Sequence, residues 1–139
     1  MLTGQCLCGG VRFEINAQLG PVIYCNCSMC RRASGSSFAT NASVRKENFR
    51  ILNGHELIKE YESSPGNKRA FCSKCGSPLY GTFADIPFVR RVRLGALDNV
   101  EGAKSVAHIW TSSKSDWFEI TDDLEQFKEE PPDSYCAPG

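Results

Sequence analysis

Cys6-Leu7-Cys8-Gly9-Gly10-Val11-Arg12-Phe13-Glu14-Ile15 is the stretch that decides the fold. Two thiols one residue apart are followed by a glycine pair that lets the backbone turn. After it comes a run alternating apolar and polar, the signature of a strand with one buried face. The thiols therefore sit on a hairpin-like knuckle, which needs partners to hold an ion. Cys72-Ser73-Lys74-Cys75-Gly76 supplies them: it is a second two-cysteine knuckle followed by glycine, a form in which backbone N–H groups can point at the sulfurs. Cys6, Cys8, Cys72 and Cys75 together would close a tetrahedral zinc site and staple two distant parts of the chain.

Three further cysteines stand in Cys25-Asn26-Cys27-Ser28-Met29-Cys30. Three thiolates leave a zinc one position short of its usual tetrahedron, and an open position is where a catalytic ion takes substrate or water. An all-sulfur set also pushes electron density onto the metal, which suits a soft fourth ligand, a thiol above all, better than hydroxide. The expectation is two zinc ions per chain, one structural and one catalytic. The competing reading closes the second site with Cys136, His55 or His108. A redox relay through Cys27 and Cys30 ranks behind both readings. The eighth cysteine, Cys136, reads as a free thiol.

Short strands at spacings of roughly ten residues, punctuated by Gly and Pro, indicate an all-β sandwich or an assembly of coiled sheets. The expected strands are 11–15, 21–25, 38–44, 57–62, 68–72, 79–83, 89–94 and 106–110, with Pro65-Gly66-Asn67 as a turn between two of them. Helical turns are expected only around 31–34, ahead of Gly35, and at 47–49 and 122–127. Length fits one domain, taken as residues 1–128, with a polar, proline-rich tail over 129–139 that wraps the surface or frays.

Lys plus Arg and Asp plus Glu balance at 16 each in 139 residues. That leaves no surplus charge to hold a polyanion, which counts against a nucleic-acid partner and favours small molecules. The N-terminal residues have neither a basic nor an apolar leader, and no run is long enough to span a bilayer. The expected setting is the reducing cytoplasm, where clustered cysteines hold metal rather than disulfides. Asn26-Cys27-Ser28 and Asn41-Ala42-Ser43 match the glycosylation acceptor pattern by chance.

Other residues carry two readings. Arg90, Arg91 and Arg93, with Lys68 and Arg69, form either a basic patch for carboxylates or solvated strand faces. Arg31 and Arg32 follow the open cluster at once and either offset its negative charge or lie exposed. His108 reads as a hydrogen-bonded core histidine, His55 as a turn residue, and Trp110, Trp117 and Phe118 as core.

Together these residues resemble the glutathione-dependent formaldehyde-activating enzyme family, whose members include centromere protein V-like proteins. The carriers are Gly4 to Val11, Cys25 to Arg32, Phe71 to Leu79, and the later His108-Ile109-Trp110 with Trp117 and Asp122. The resemblance implies coiled antiparallel β-sheets, tent-like, around a tetrathiolate zinc on Cys6, Cys8, Cys72 and Cys75. It also implies a second zinc on Cys25, Cys27 and Cys30, which would then be the catalytic residues. The implied activity is that of a carbon-sulfur lyase joining glutathione to formaldehyde, with a small thiol and an aldehyde as partners. Two alternatives stand beside it: a zinc-stabilised module that recruits protein or nucleic acid without catalysis, and a thiol or metal carrier.

Overall fold

The computed structural model describes every residue from Met1 to Gly139. Eleven strands and one helix follow one another as β1 Leu2–Gln5, β2 Arg12–Ile15, β3 Val22–Cys25, α1 Ser28–Ser34, β4 Ala39–Arg45 and β5 Phe49–Asn53, then β6 Ile58–Ser64, β7 Asn67–Cys72, β8 Pro78–Phe83, β9 Val89–Arg93, β10 Ser105–Ile109 and β11 Glu125–Gln126. Short 3-10 turns join several of them. No helix is long and apolar enough to cross a membrane.

The strands form two sheets. One is a three-stranded antiparallel sheet in the order β1-β2-β5, and the other has eight strands in the order β11-β10-β3-β4-β9-β8-β7-β6. On β2 the expected alternation is realised: Phe13 and Ile15 are buried, and they pack with Val11, Val44, Leu79 and Val92 in the main core. Cys6 and Cys72 lie in that same core, so one cysteine of each knuckle is anchored there, while Cys8 is exposed. A second, smaller core gathers Ile23, Cys25, Cys30, Ala39, Ala107 and Ile109. β4 runs through both, giving Ala39 to one and Val44 to the other.

The fold is all-β, as the pattern indicates, with differences that have physical causes. Residues 122–127 do not make a helical turn. The Asp122 carboxylate accepts the Leu124 N–H, a local bond that competes with helix, and Glu125–Gln126 then pairs with β10. Pairing is antiparallel except at β10, which lies parallel to both β3 and β11 because long connections bring the chain back in the same direction. β1 escapes the alternation rule because it contains Gly4. A Cβ there would stand 2.3 Å from the Phe13 ring, so this strand is chosen by close approach rather than by apolar pattern.

The Pro65-Gly66 turn joins β6 to β7 as expected, with Gly66 at φ 79°. The last residues lie against the body of the protein. Tyr135 meets Phe127 edge-on at 5.1 Å, and the Gly139 N–H donates to the Ser43 carbonyl.

Candidate metal centres

The two knuckles meet as the spacing predicts. The sulfurs of Cys6, Cys8, Cys72 and Cys75 all lie within 4.8 Å of one another, with Cys6 to Cys8 at 3.5 Å and Cys8 to Cys72 at 3.9 Å. A zinc tetrathiolate with bonds of about 2.3 Å has sulfur–sulfur edges of about 3.8 Å, so this set fits the ion. Local backbone makes the fit. Gly9 and Gly76 adopt φ of 75° and 78°, which turn each knuckle back on itself, and the Leu7 N–H donates to Ser77 Oγ at 2.8 Å to tie the two together. Negative charge is met by backbone and hydroxyl donors. Val11 N–H points at Cys6 Sγ at 3.2 Å, and the Ser77 hydroxyl, with the N–H groups of Cys8 and Ser77, pulls the Cys75 thiol down to about 5.

Cys25, Cys27 and Cys30 form the second cluster, again with all sulfurs within 4.8 Å. Each comes from a different element. Cys25 ends β3, Cys27 caps α1 by accepting the Cys30 N–H at 3.3 Å, and Cys30 projects from the first turn of that helix. Both Nη atoms of Arg69, on β7, stand 3.7 Å from Cys30 Sγ. Hydrogen bonds from Cys25 and Cys27, then the Arg69 charge, pull the Cys30 thiol down against the opposing effect of burial. Cys25 moves strongly the other way, through its bonds to Cys27 and Cys30 and through burial. The set thus already favours a thiolate. Three soft donors converging on one point, one of them held as thiolate, are a donor set that could hold a metal ion.

Above these sulfurs is a cleft of about 390 Å³, whose lining includes Lys68, Arg69, Arg91, Arg93, Trp110 and Glu130. Burial lowers Arg93 to about 10, which still leaves it charged at neutral pH, and it donates to Asn41 Oδ1. The basic residues of β7 and β9 are therefore a patch at the sulfur cluster, with one exception. Arg90 points the other way, over the Tyr80 ring at 5.4 Å, because neighbours on a strand face opposite sides. The residues next in sequence to the cluster do not compensate it. Arg31 is half-buried, Arg32 is exposed, and neither bonds a sulfur or lines the cleft.

None of the three candidates for a fourth ligand joins the cluster. His55 starts a 3-10 turn after Gly54, and Cys136 sits beside Arg91 Nη1 at 3.6 Å. His108 is buried and committed elsewhere. Its Nε2 donates to Asp122 Oδ2 at 2.9 Å, which leaves Nδ1 to accept from Asn26 Nδ2 at 3.4 Å. The bond from His108 holds the Asp122 carboxyl below its ordinary range. Asn26, fully buried between two of the cysteines, also donates to the Ile109 carbonyl at 3.2 Å and so fixes the loop that carries the sulfurs. Asn26 and Arg69 are the residues that sequence reasoning missed in these roles. The sequence signals were the position of Asn26 inside the cysteine run and that of Arg69 among the basic residues, and neither names a partner, since the partners of both lie far along the chain.

The aromatic residues divide. Phe118 packs edge-on against Phe38 at 5.5 Å, but Trp117 is 72% exposed and does not belong to the core. Trp110 walls the cleft, with its indole N–H donated to Glu130 Oε1 at 3.1 Å. Its φ of 55° is the left-handed conformation that a bulky side chain rarely adopts, at a cost of about 1–3 kcal/mol. Hydrogen bonds to Glu129 and Glu130 hold it there. Both glycosylation-pattern asparagines, Asn26 and Asn41, are buried.

Comparison with known proteins bears on this site. A sequence model described as "Glutathione-dependent formaldehyde-activating enzyme" matches residues 1–113, which include all seven clustered cysteines. A Halomonas elongata protein, named as a candidate glutathione-dependent formaldehyde-activating enzyme, is 32% identical over 129 residues, covering 86% of this chain and 81% of that one. A crystal structure of a Rhodobacter sphaeroides protein superposes with a TM-score of 0.61 at 28% identity, over 72% of this chain and 91% of the other.

Proposed function

The chain belongs to the glutathione-dependent formaldehyde-activating enzyme family, and on that premise we propose that it is a zinc-dependent carbon-sulfur lyase-type enzyme joining glutathione to formaldehyde as S-hydroxymethylglutathione. The observation that carries this reading is the trio of sulfurs in a cationic cleft, with no fourth protein donor in the group. Cys6, Cys8, Cys72 and Cys75 would hold a structural zinc, and Cys25, Cys27 and Cys30 a second one. Zinc in the three-sulfur site would supply a Lewis acid with one open position, depressing the pKa of a thiol that enters it.

The chain's own residues do the rest. Lys68, Arg91 and Arg93 present positive charge to the two carboxylates of glutathione, and guanidinium forks suit carboxylates in particular. Glu130, in the same cleft, offers an acceptor to the ammonium group. With the tripeptide oriented, its sulfur attacks the carbonyl carbon. A carbon–sulfur bond forms, the C=O π pair moves to oxygen, and that oxygen takes up the proton the thiol lost. Arg69 provides N–H donors for the charge that develops on oxygen. Trp110, held by Glu130, walls the cleft and limits access of water to it.

Addition of thiols to formaldehyde is facile without a catalyst, so the test is a comparison of rates. Zinc-replete protein should accelerate adduct formation from glutathione and formaldehyde saturably above background. Metal content should be two zinc ions per chain. No acceleration with any thiol would overturn this function in favour of a binding module.

A further inference from the structure

A second and larger cleft adjoins the first at Cys30, Arg69 and Arg93, which line both. Its volume is about 1020 Å³, and it extends to the four-sulfur knuckle, where Leu7, Gly76 and Ser77 border it. Phe38, Tyr61, Phe71, Tyr80, Ala96 and Leu97 give it a largely aromatic and aliphatic lining. Tyr61 is 66% exposed and Leu7 85%, so apolar surface is presented to solvent along its margin, as at a binding site.

The two clefts ask for different chemistry. The smaller carries four cations and one carboxylate, suited to the polar body of a zwitterionic thiol. The larger has cations only at the shared end, and Asp98 at its margin already accepts the Thr3 hydroxyl. Formaldehyde has no substituent to place in it. An aldehyde whose carbonyl met a sulfur at Cys30 would have to direct its remaining chain away from the cationic cleft, and the apolar one begins there.

We propose that the larger cleft binds the apolar substituent of an aldehyde longer than formaldehyde, and that the chain forms hemithioacetals of glutathione with medium-chain aldehydes. The inference rests on the thiol site described above. The chemistry is the same balanced addition: the glutathione sulfur bonds to the carbonyl carbon, and the carbonyl oxygen becomes a hydroxyl with the thiol's proton. No oxidant or reductant takes part.

S-methylglutathione and S-hexylglutathione, titrated calorimetrically into zinc-replete protein, separate the two ideas because neither reacts. Each buried methylene contributes about fourfold in affinity, so the hexyl compound should bind at least about tenfold more tightly even in a half-open cleft. Two exposed positions on the rim, Ala33 and Tyr61, allow variants that leave the core untouched. Ala33→Trp, which fills the cleft, and Tyr61→Ala, which removes a wall, should each bring the hexyl-to-methyl ratio toward one. Hexanal should then outcompete formaldehyde for glutathione on the wild-type protein and lose that advantage in both variants. Equal affinity for the two thioethers would overturn the apolar cleft while leaving the thiol site intact. Failure of both to bind, with glutathione also failing, would overturn both.

Discussion

The four-sulfur knuckle and the three-sulfur cluster use one residue type to opposite ends, and the difference lies in what surrounds the sulfurs. The knuckle is drawn from residues more than sixty apart, anchors Cys6 and Cys72 in the main core, and meets its charge with backbone N–H groups and the Ser77 hydroxyl. Fixed main-chain donors close it and leave it nothing to exchange. The cluster is local, six residues from Cys25 to Cys30, but its charge is met by side chains from distant strands, Arg69 on β7 and Arg93 on β9. Those cations line a cleft as well as facing the sulfurs. Closure by backbone suits a staple, and compensation by side chains that line a cleft suits a working site.

The sharpest way to break that contrast is to remove one sulfur from each. Cys72→Ser should abolish the cooperative thermal transition and leave zinc content well below one, because a structural zinc contributes about 10 kcal/mol or more, comparable to the whole stability of a domain. Cys27→Ser should keep the fold, since serine is itself a good helix cap, while zinc falls from two to one per chain and activity to background. If the second variant unfolds as completely as the first, the two sites do not differ in kind.

Smaller changes sharpen the comparison. Arg69→Ala should lower kcat by about 10- to 100-fold with little change in KM for glutathione, the range expected for a hydrogen bond to a charged group, and weaken zinc retention at the cluster in a chelator competition. The four-sulfur site should be unaffected in the same experiment. Asn26→Ala strands the buried His108 Nδ1, while the Ile109 carbonyl keeps the backbone N–H of residue 26, so denaturant unfolding should show a loss of about 1–3 kcal/mol. Gly76→Ala forces a side chain into a left-handed turn with open space around it, and should cost about 1 kcal/mol without altering turnover.

Much of this was legible in the chain itself because the signals are local. A glycine after a cysteine pair, alternation over Val11 to Ile15, and Pro65-Gly66 each act within a few residues. The exceptions are instructive. β1 was invisible because Gly4 is selected by the Phe13 ring against it, and β11 because two residues of pairing leave no periodicity. Arg31 and Arg32 looked like the natural counter-charges from their adjacency. Neither lines the cleft, and register across β7 and β9 brings in Arg69 and Arg93 instead.

The sequence by itself determined that seven thiols divide into four and three, since ligand spacing and glycine turns are properties of short segments. It determined the all-β class as well, through periodicity. Only the tertiary structure decided that no fourth donor reaches the trio, that Asn26, His108 and Asp122 brace the loop beneath it, and that a cationic and an apolar cleft meet at Cys30. Those features depend on strand register and on contacts between residues tens of positions apart. Moving a strand by one residue would exchange its two faces and lose them, while the local pattern in the chain would read the same.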